Sequence, residues 1–219
     1  MSKGSRILVA AWGALYLAAL AWYGGHGAPM TAQEKDALFA LIQQRAEHEP
    51  LKDGHLLEEL HRLADSDDGD EFYMLNLIRY REHAAYPPGY DYDGDVLAAD
   101  ARYNRAIAPY LFRHGGVPVF LGTPEGRFID GEGDETWQRV AIVRYRSRRD
   151  LLAMVADLAG QDVAVHKWAS IEKTQVFPVR AMFSLVMVRL LLATVFVALG
   201  LLLHLLLRNA AWYRGRSPA

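Results

Sequence analysis

The chain of 219 residues contains no cysteine. Disulfides, thiolate nucleophiles and cysteine-based metal sites are therefore excluded. Acidic residues are absent from both ends, since all 26 lie between Glu34 and Glu172. Outside 25–180 the only charged residues are basic: Lys3, Arg6, Arg189, Arg208, Arg214 and Arg216. The stretch 25–180 holds 18 basic residues against those 26 acids, a net charge of −8. Affinity for nucleic acid comes from Lys and Arg neutralising phosphates, so so acidic a domain is set aside as a nucleic-acid binder. No Ser-His-Asp arrangement, phosphate loop, dinucleotide fingerprint or metal-ligand spacing is present in the sequence. No cofactor is expected; haem would have only His114 or His166 to bind it.

What the ends do have is apolar length. Ile7–Tyr23 (ILVAAWGALYLAALAWY) is 17 residues without a charge, the lower limit for crossing a hydrocarbon layer roughly 30 Å thick. Trp22 and Tyr23 close it as interfacial aromatics commonly do. The alternative is a signal peptide cleaved near Gly25-His26-Gly27-Ala28, but signal h-regions are usually shorter, about 7–15 residues, and a retained anchor is expected. Leu190–Leu207 forms a second span with His204 its one ionisable residue. Arg189, after the apolar run Ala181–Val188, is placed to snorkel to the headgroups. With Lys3 and Arg6 before the first span and Arg208, Arg214 and Arg216 after the second, the positive-inside rule puts both termini in the cytoplasm. The middle of the chain is then periplasmic, on a bacterial inner membrane, with Arg6, Trp22, Tyr23, Arg189 and Arg208 at the membrane interfaces. Ala10, Ala14 and Ala18 form a small-residue stripe suited to close helix packing.

Between the spans, Thr31-Ala-Gln-Glu34 is a capping box opening a helix with Leu38, Leu41 and Ile42 on its apolar face, and Pro50 ends the segment. A second helix over His55–Ala64 carries Leu56, Leu57, Leu60 and Leu63. The acidic stretches Asp65–Glu71 and Asp91–Asp95 faintly resemble calcium loops but lack the distal Glu; turn and cap chemistry explains them better. Then come a strand (Phe72–Arg81), a helix (Val96 to about His114) ended by Gly115-Gly116 and loosened at Pro109, and a strand (Val117–Gly122). A strand Thr136–Arg146, a helix Arg148–Ala159 capped by Ser147, a helical turn near His166–Ser170 and a strand Ile171–Val179 complete it. The class is α+β, a β-α-β-β-α-β ferredoxin-like unit. Both faces of its strands are apolar, so a second copy of the sheet is the economical cover. The division is 1–28 (N-terminus and first span), 29–71 (helical extension), 72–179 (the α+β domain) and 180–219 (second span and basic tail).

The segments MLNLIRYR (74–81), ARYNRAIAPYLFRHGG (101–116) and TWQRVAIVRYRSRRDLLAMVADLAGQDVAVHKWASIEKTQV (136–176) resemble the DUF1330 family over about residues 72–178. The family usually has Pro after the third-strand Tyr and Tyr-Gln after the second helix, where this chain has Arg146 and Gly160-Gln161. The resemblance implies the dimeric α+β barrel superfamily, which also holds cofactor-free quinone-forming monooxygenases, haem-degrading monooxygenases and chlorite dismutase-like proteins. It implies a fold and a ligand space between sheet and helices or within the barrel, not a reaction.

Period-two alternation puts Phe72, Met74, Asn76, Ile78 and Tyr80 on one face and Trp137, Arg139, Ala141, Val143 and Tyr145 on one face, leaving Arg144 with Val140 and Ile142. Asn76, an amide among apolar residues, must find a hydrogen-bond partner in backbone or ligand. A buried Arg144 needs a carboxylate from protein or ligand. Histidine is the natural acid–base near neutrality. The pocket candidates are Asn76, Tyr103, Trp137, Arg144 and His166, with His114 and Trp168 beside them. Three roles follow: a non-catalytic accessory or assembly subunit of a membrane complex, a periplasmic small-molecule binding or sensing module, and a cofactor-free monooxygenase or isomerase by analogy alone.

Overall fold

The computed structural model describes residues 3–46, 54–126, 128–129, 136–182, 194–202 and 205. The elements are α1 (Lys3–Tyr23), α2 (Ala32–Ala46), α3 (Gly54–Asp65), β1 (Phe72–Tyr80), α4 (Val96–Arg113), β2 (Val117–Gly122), β3 (Arg139–Tyr145), α5 (Arg148–Leu158), α6 (Val163–Ser170) and β4 (Ile171–Val179). They belong to one compact unit, Met1–Ala181; in a second unit, Met182–Ala219, residues 194–202 are helical. Most of the expected span Leu190–Leu207, with Arg189 and Arg208, lies outside the described residues, as does the side chain of Arg6. Among the described residues no helix is long and apolar enough to cross a membrane.

The domain is α+β. Its four strands form one antiparallel sheet in the order β2-β3-β1-β4. α4 links β1 to β2, and α5 with α6 links β3 to β4. Register sets the faces: Phe72, Met74, Asn76 and Ile78 lie opposite Tyr145, Val143, Ala141 and Arg139. This face packs on helices, where Phe72 and Tyr145 join Leu63, Leu111, Leu151 and Met154 in a buried cluster. On the other face Leu75, Leu77, Val140, Ile142 and Arg144 follow by alternation, with Phe177 opposite Leu75 and Phe120 opposite Ile142.

The local signals act where the sequence places them. Thr31 N–H donates to Glu34 Oε2 (2.8 Å) and Glu34 N–H to Thr31 Oγ1 (3.2 Å), a reciprocal cap. Ser147 Oγ accepts from Asp150 N–H, and Asp95 Oδ1 accepts from Leu97 and Ala98 N–H. Gly115 takes φ +68° where the chain leaves α4, a conformation that suits glycine. α4 continues through Pro109 to Arg113.

Some boundaries differ from the pattern-based expectation. α1 starts at Lys3, one turn ahead of the uncharged segment Ile7–Tyr23. β3 begins at Arg139 rather than Thr136, which leaves Trp137 outside it. Gln138 explains the boundary: its N–H donates to Ile78 O (2.8 Å), while its side-chain Oε1, not its backbone, accepts Tyr80 N–H (2.6 Å). The expected turn near His166 is the two-turn helix α6. The helical extension packs onto the domain, with Met30, Phe39, Ile42, Leu60 and Ala64 burying against Leu152 and Ala156 of α5.

Candidate functional site

The helix-covered face carries an unusual number of polar groups for an interior. Asp100, on the buried side of α4, pairs with Arg139 Nη1 (2.5 Å) and accepts from Asn104 Nδ2 (3.0 Å). Arg139 also lies over the Tyr80 ring, 5.1 Å from its centroid. The Tyr80 hydroxyl is buried beside Asp100 and Arg139; burial first, then the Asp100 carboxylate, raise its pKa. Burial, with a smaller effect of Asp100, pushes the Tyr103 phenol up to about 12. Burial and the neighbouring Tyr103 raise that of Tyr145. These phenols therefore stay protonated at physiological pH and can donate a hydrogen bond. Lys167 of α6 approaches the same region, with Nζ 5.8 Å from the Tyr103 ring and 5.2 Å from the Trp168 ring.

Asn76 takes the backbone option. Its Nδ2 donates to Met74 O (3.1 Å) and Ala141 O (3.3 Å), which holds the amide against the strands. His166 stands on α6 with Nδ1 3.0 Å from the Tyr86 hydroxyl. The Tyr92 ring lies edge-on at 5.4 Å, and Tyr86, Tyr90 and Tyr92 pack on one another. Arg102 lies over Tyr92 (4.5 Å) and pairs with Asp93 (3.1 Å); hydrogen bonds to Tyr86 and Asp93 hold its pKa up. His166 and Lys167 are thus adjacent in sequence, one engaged with the tyrosine-rich loop and the other facing α4.

Arg144 lies apart from these side chains. It is fully buried on the opposite face of the sheet, where the end of α1 covers it. Its Nε donates to Glu71 Oε2 (2.8 Å), and further bonds run to Tyr23 O (2.8 Å), Gly24 O (3.3 Å) and Gly115 O (3.3 Å). The Tyr23 ring lies 3.6 Å from the guanidinium carbon. Arg146, held by Asp150, donates to Trp22 O (3.1 Å), and Trp22 Nε1 donates to Phe112 O (2.9 Å). The carbonyls at a helix C-terminus lack intrahelical partners and carry partial negative charge, so two arginines there satisfy both needs. Trp22 and Tyr23, expected at a lipid interface, also form part of this joint.

The remaining candidates have structural partners. His114 Nε2 contacts Asp157 Oδ2 (2.9 Å). In the acidic turn, Asp67 accepts from Met30 N–H (2.6 Å), Asp68 pairs with Arg148 (2.5 Å) and Arg180 (3.1 Å), and Glu71 binds Arg144. Among the described residues no group of three His, Cys, Asp or Glu is placed to hold a metal ion. Asn76, Tyr103 and His166 gather on the α4–α6 side of the sheet, Trp137 stands in the connection before β3, and Arg144 lies across the sheet. Sequence reasoning missed Lys167 and the Tyr80–Asp100–Arg139 group. For Lys167 the signal was slight: it stands four residues after Val163, one turn along the same side of a short helix.

No family model matches the chain, and no curated protein matches it. Solved structures do. A protein of unknown function from Rhodopseudomonas palustris, RPA0582, is 26% identical, with a TM-score of 0.52 over 60% of this chain and 95% of that one. Its methylated form is 27% identical, with the same TM-score over 60% of this chain and 93% of that one. The likeness supports the α+β fold and brings no activity with it.

Proposed function

We propose that this chain is a membrane-anchored periplasmic domain, a DUF1330-like ferredoxin-like unit of the dimeric α+β barrel type, serving as a non-catalytic accessory or assembly subunit of a bacterial inner-membrane complex. The observation that carries the reading is the joint between α1 and the sheet. α1 exposes Trp12 (65%), Leu15 (59%), Leu17 (65%) and Leu20 (48%), apolar surface on several sides of one helix, which needs apolar surroundings. Its C-terminus is nevertheless bound to the folded domain through Arg144 and Arg146. Cleavage near Gly25–Ala28 would sever that connection, so the joint favours a retained anchor. Alkaline phosphatase fused after Ala28 is expected to be active, and after Ala219 inactive. Activity at the second site, or silence at the first, overturns the two-pass topology.

The open face of the sheet supports pairing with a second copy. Leu75, Leu77, Val140 and Ile142 lie there with Phe120 (49% exposed) and Phe177 (44%) at its flanks, and the end of α1 covers the corner at Arg144. An apolar, self-similar face is suited to an isologous contact. Because the chain has no cysteine, a single Leu77→Cys change reports on pairing cleanly. Oxidation of this variant in membranes is expected to give a covalent dimer, whereas Arg105→Cys on the outer side of α4 is not. A monomer in detergent together with uncrosslinked L77C rules the paired sheet out.

The second reading, a small-molecule binding module, is favoured by the buried Tyr145 and the partly buried Tyr103 and Lys167 on the α4–α6 side. Pockets of this kind are mostly apolar with a few orienting polar groups.

A further inference from the structure

Among the described residues no carboxylate pairs with Lys167. Lys35, by contrast, pairs with Asp65 at 3.1 Å. The groups facing Lys167 are the rings of Tyr103, from α4, and Trp168, from its own helix. Polar groups on the same elements have other partners: Asp100 of α4 pairs with Arg139, and His166 of α6 contacts Tyr86. A cation–π contact compensates an ammonium only weakly, on the order of 0.5–2 kcal/mol. Loss of hydration without an opposing charge favours the neutral amine, and burial alone does lower the Lys167 pKa. The residue is not sealed in, for it is only partly buried and Trp168 beside it is 53% exposed.

We propose that Lys167 is a reactive amine that captures a small aromatic aldehyde as an imine, with the rings of Tyr103 and Trp168 flanking the adduct. This deepens the small-molecule reading and is independent of how the chain is anchored. The neutral amine attacks the carbonyl carbon, and a C–N bond forms to give a carbinolamine. The former carbonyl oxygen then leaves as water, taking both hydrogens of the amine, and the C=N bond remains; nothing is oxidised or reduced. Flat aromatic aldehydes are the class that fits, since both walls are aromatic and offset stacking of such rings is favourable. The protonated Tyr103 phenol is a proton-bearing group on one of those walls.

The test uses the full chain in detergent micelles, with benzaldehyde as probe and cyanoborohydride to fix the imine, read by peptide mass spectrometry at pH 7. Lys167 is expected to label severalfold faster than Lys35, whose ammonium is held by Asp65, with the two rates converging once urea unfolds the chain. Labelling of Lys167 at the rate of Lys35 or slower, including none at all, overturns the proposal. A thermal-shift arm without reductant separates the two readings. Stabilisation by benzaldehyde in wild type that disappears in Lys167→Arg supports the amine. Equal stabilisation of both proteins keeps a small-molecule site but removes Lys167 from it, and no stabilisation of either removes both.

Discussion

Arg144→Met is expected to destabilise the Met1–Ala181 unit by about 3–5 kcal/mol, the usual cost of breaking one side of a buried ion pair. Methionine has comparable length and no donor. It leaves the partly buried Glu71 without its cation, and Tyr23 O, Gly24 O and Gly115 O without the bonds they now accept. Urea titration in detergent, followed by tryptophan fluorescence, gives the number. The same experiment reads the joint itself, because Trp22 donates to Phe112 O only while the end of α1 is docked. A variant within about 1 kcal/mol of wild type, the range of an exposed pair, would show that the joint is superficial. Arg144→Lys restores the charge but not the planar fork, so it should recover only part of the loss.

The second large effect belongs to the apolar core. Leu152 is completely buried and sits where α5 meets Ile42 of α2 and Leu60 of α3. Leu152→Ala should cost about 2–5 kcal/mol, combining lost transfer energy with a residual cavity. Leu121→Ala is the control: at 66% exposure on β2 it should stay within about 0.5 kcal/mol. Similar losses for the two variants would mean that the helical extension is not packed on the domain as described.

What could be read from the chain was local. The capping box at Thr31–Glu34, the Ser147 cap and the glycine exit of α4 are written within a few residues; alternation sorts the residues of β1 and of β3 into faces, but only the register between the strands shows that Asn76 and Arg144 lie on opposite ones. Distant partners could not be read in this way. The sequence shows that a buried Arg144 needs a carboxylate, but nothing within reach of a local pattern selects Glu71, 73 residues earlier. Trp137 was assigned to a strand because it fits the alternation; the side chain of Gln138 replaced a backbone partner and moved the boundary. Lys167 was overlooked because an eight-residue helix offers barely two turns of periodicity. The tyrosines at 86, 90 and 92 fall in a polar, Pro- and Gly-rich loop that runs to Asp95, and three rings in seven residues are the sequence hint of the cluster they form with His166.

The joint at Arg144 also imposes a schedule on synthesis. The bond from Arg144 to Tyr23 O spans 121 residues, and ribosomes add about 5–20 residues per second. The end of α1 therefore emerges roughly 6–25 s before the arginine that will receive it. During that interval the helix C-terminus must be satisfied by water or by a chaperone, and β3, near the end of the domain, completes the attachment of the first element made.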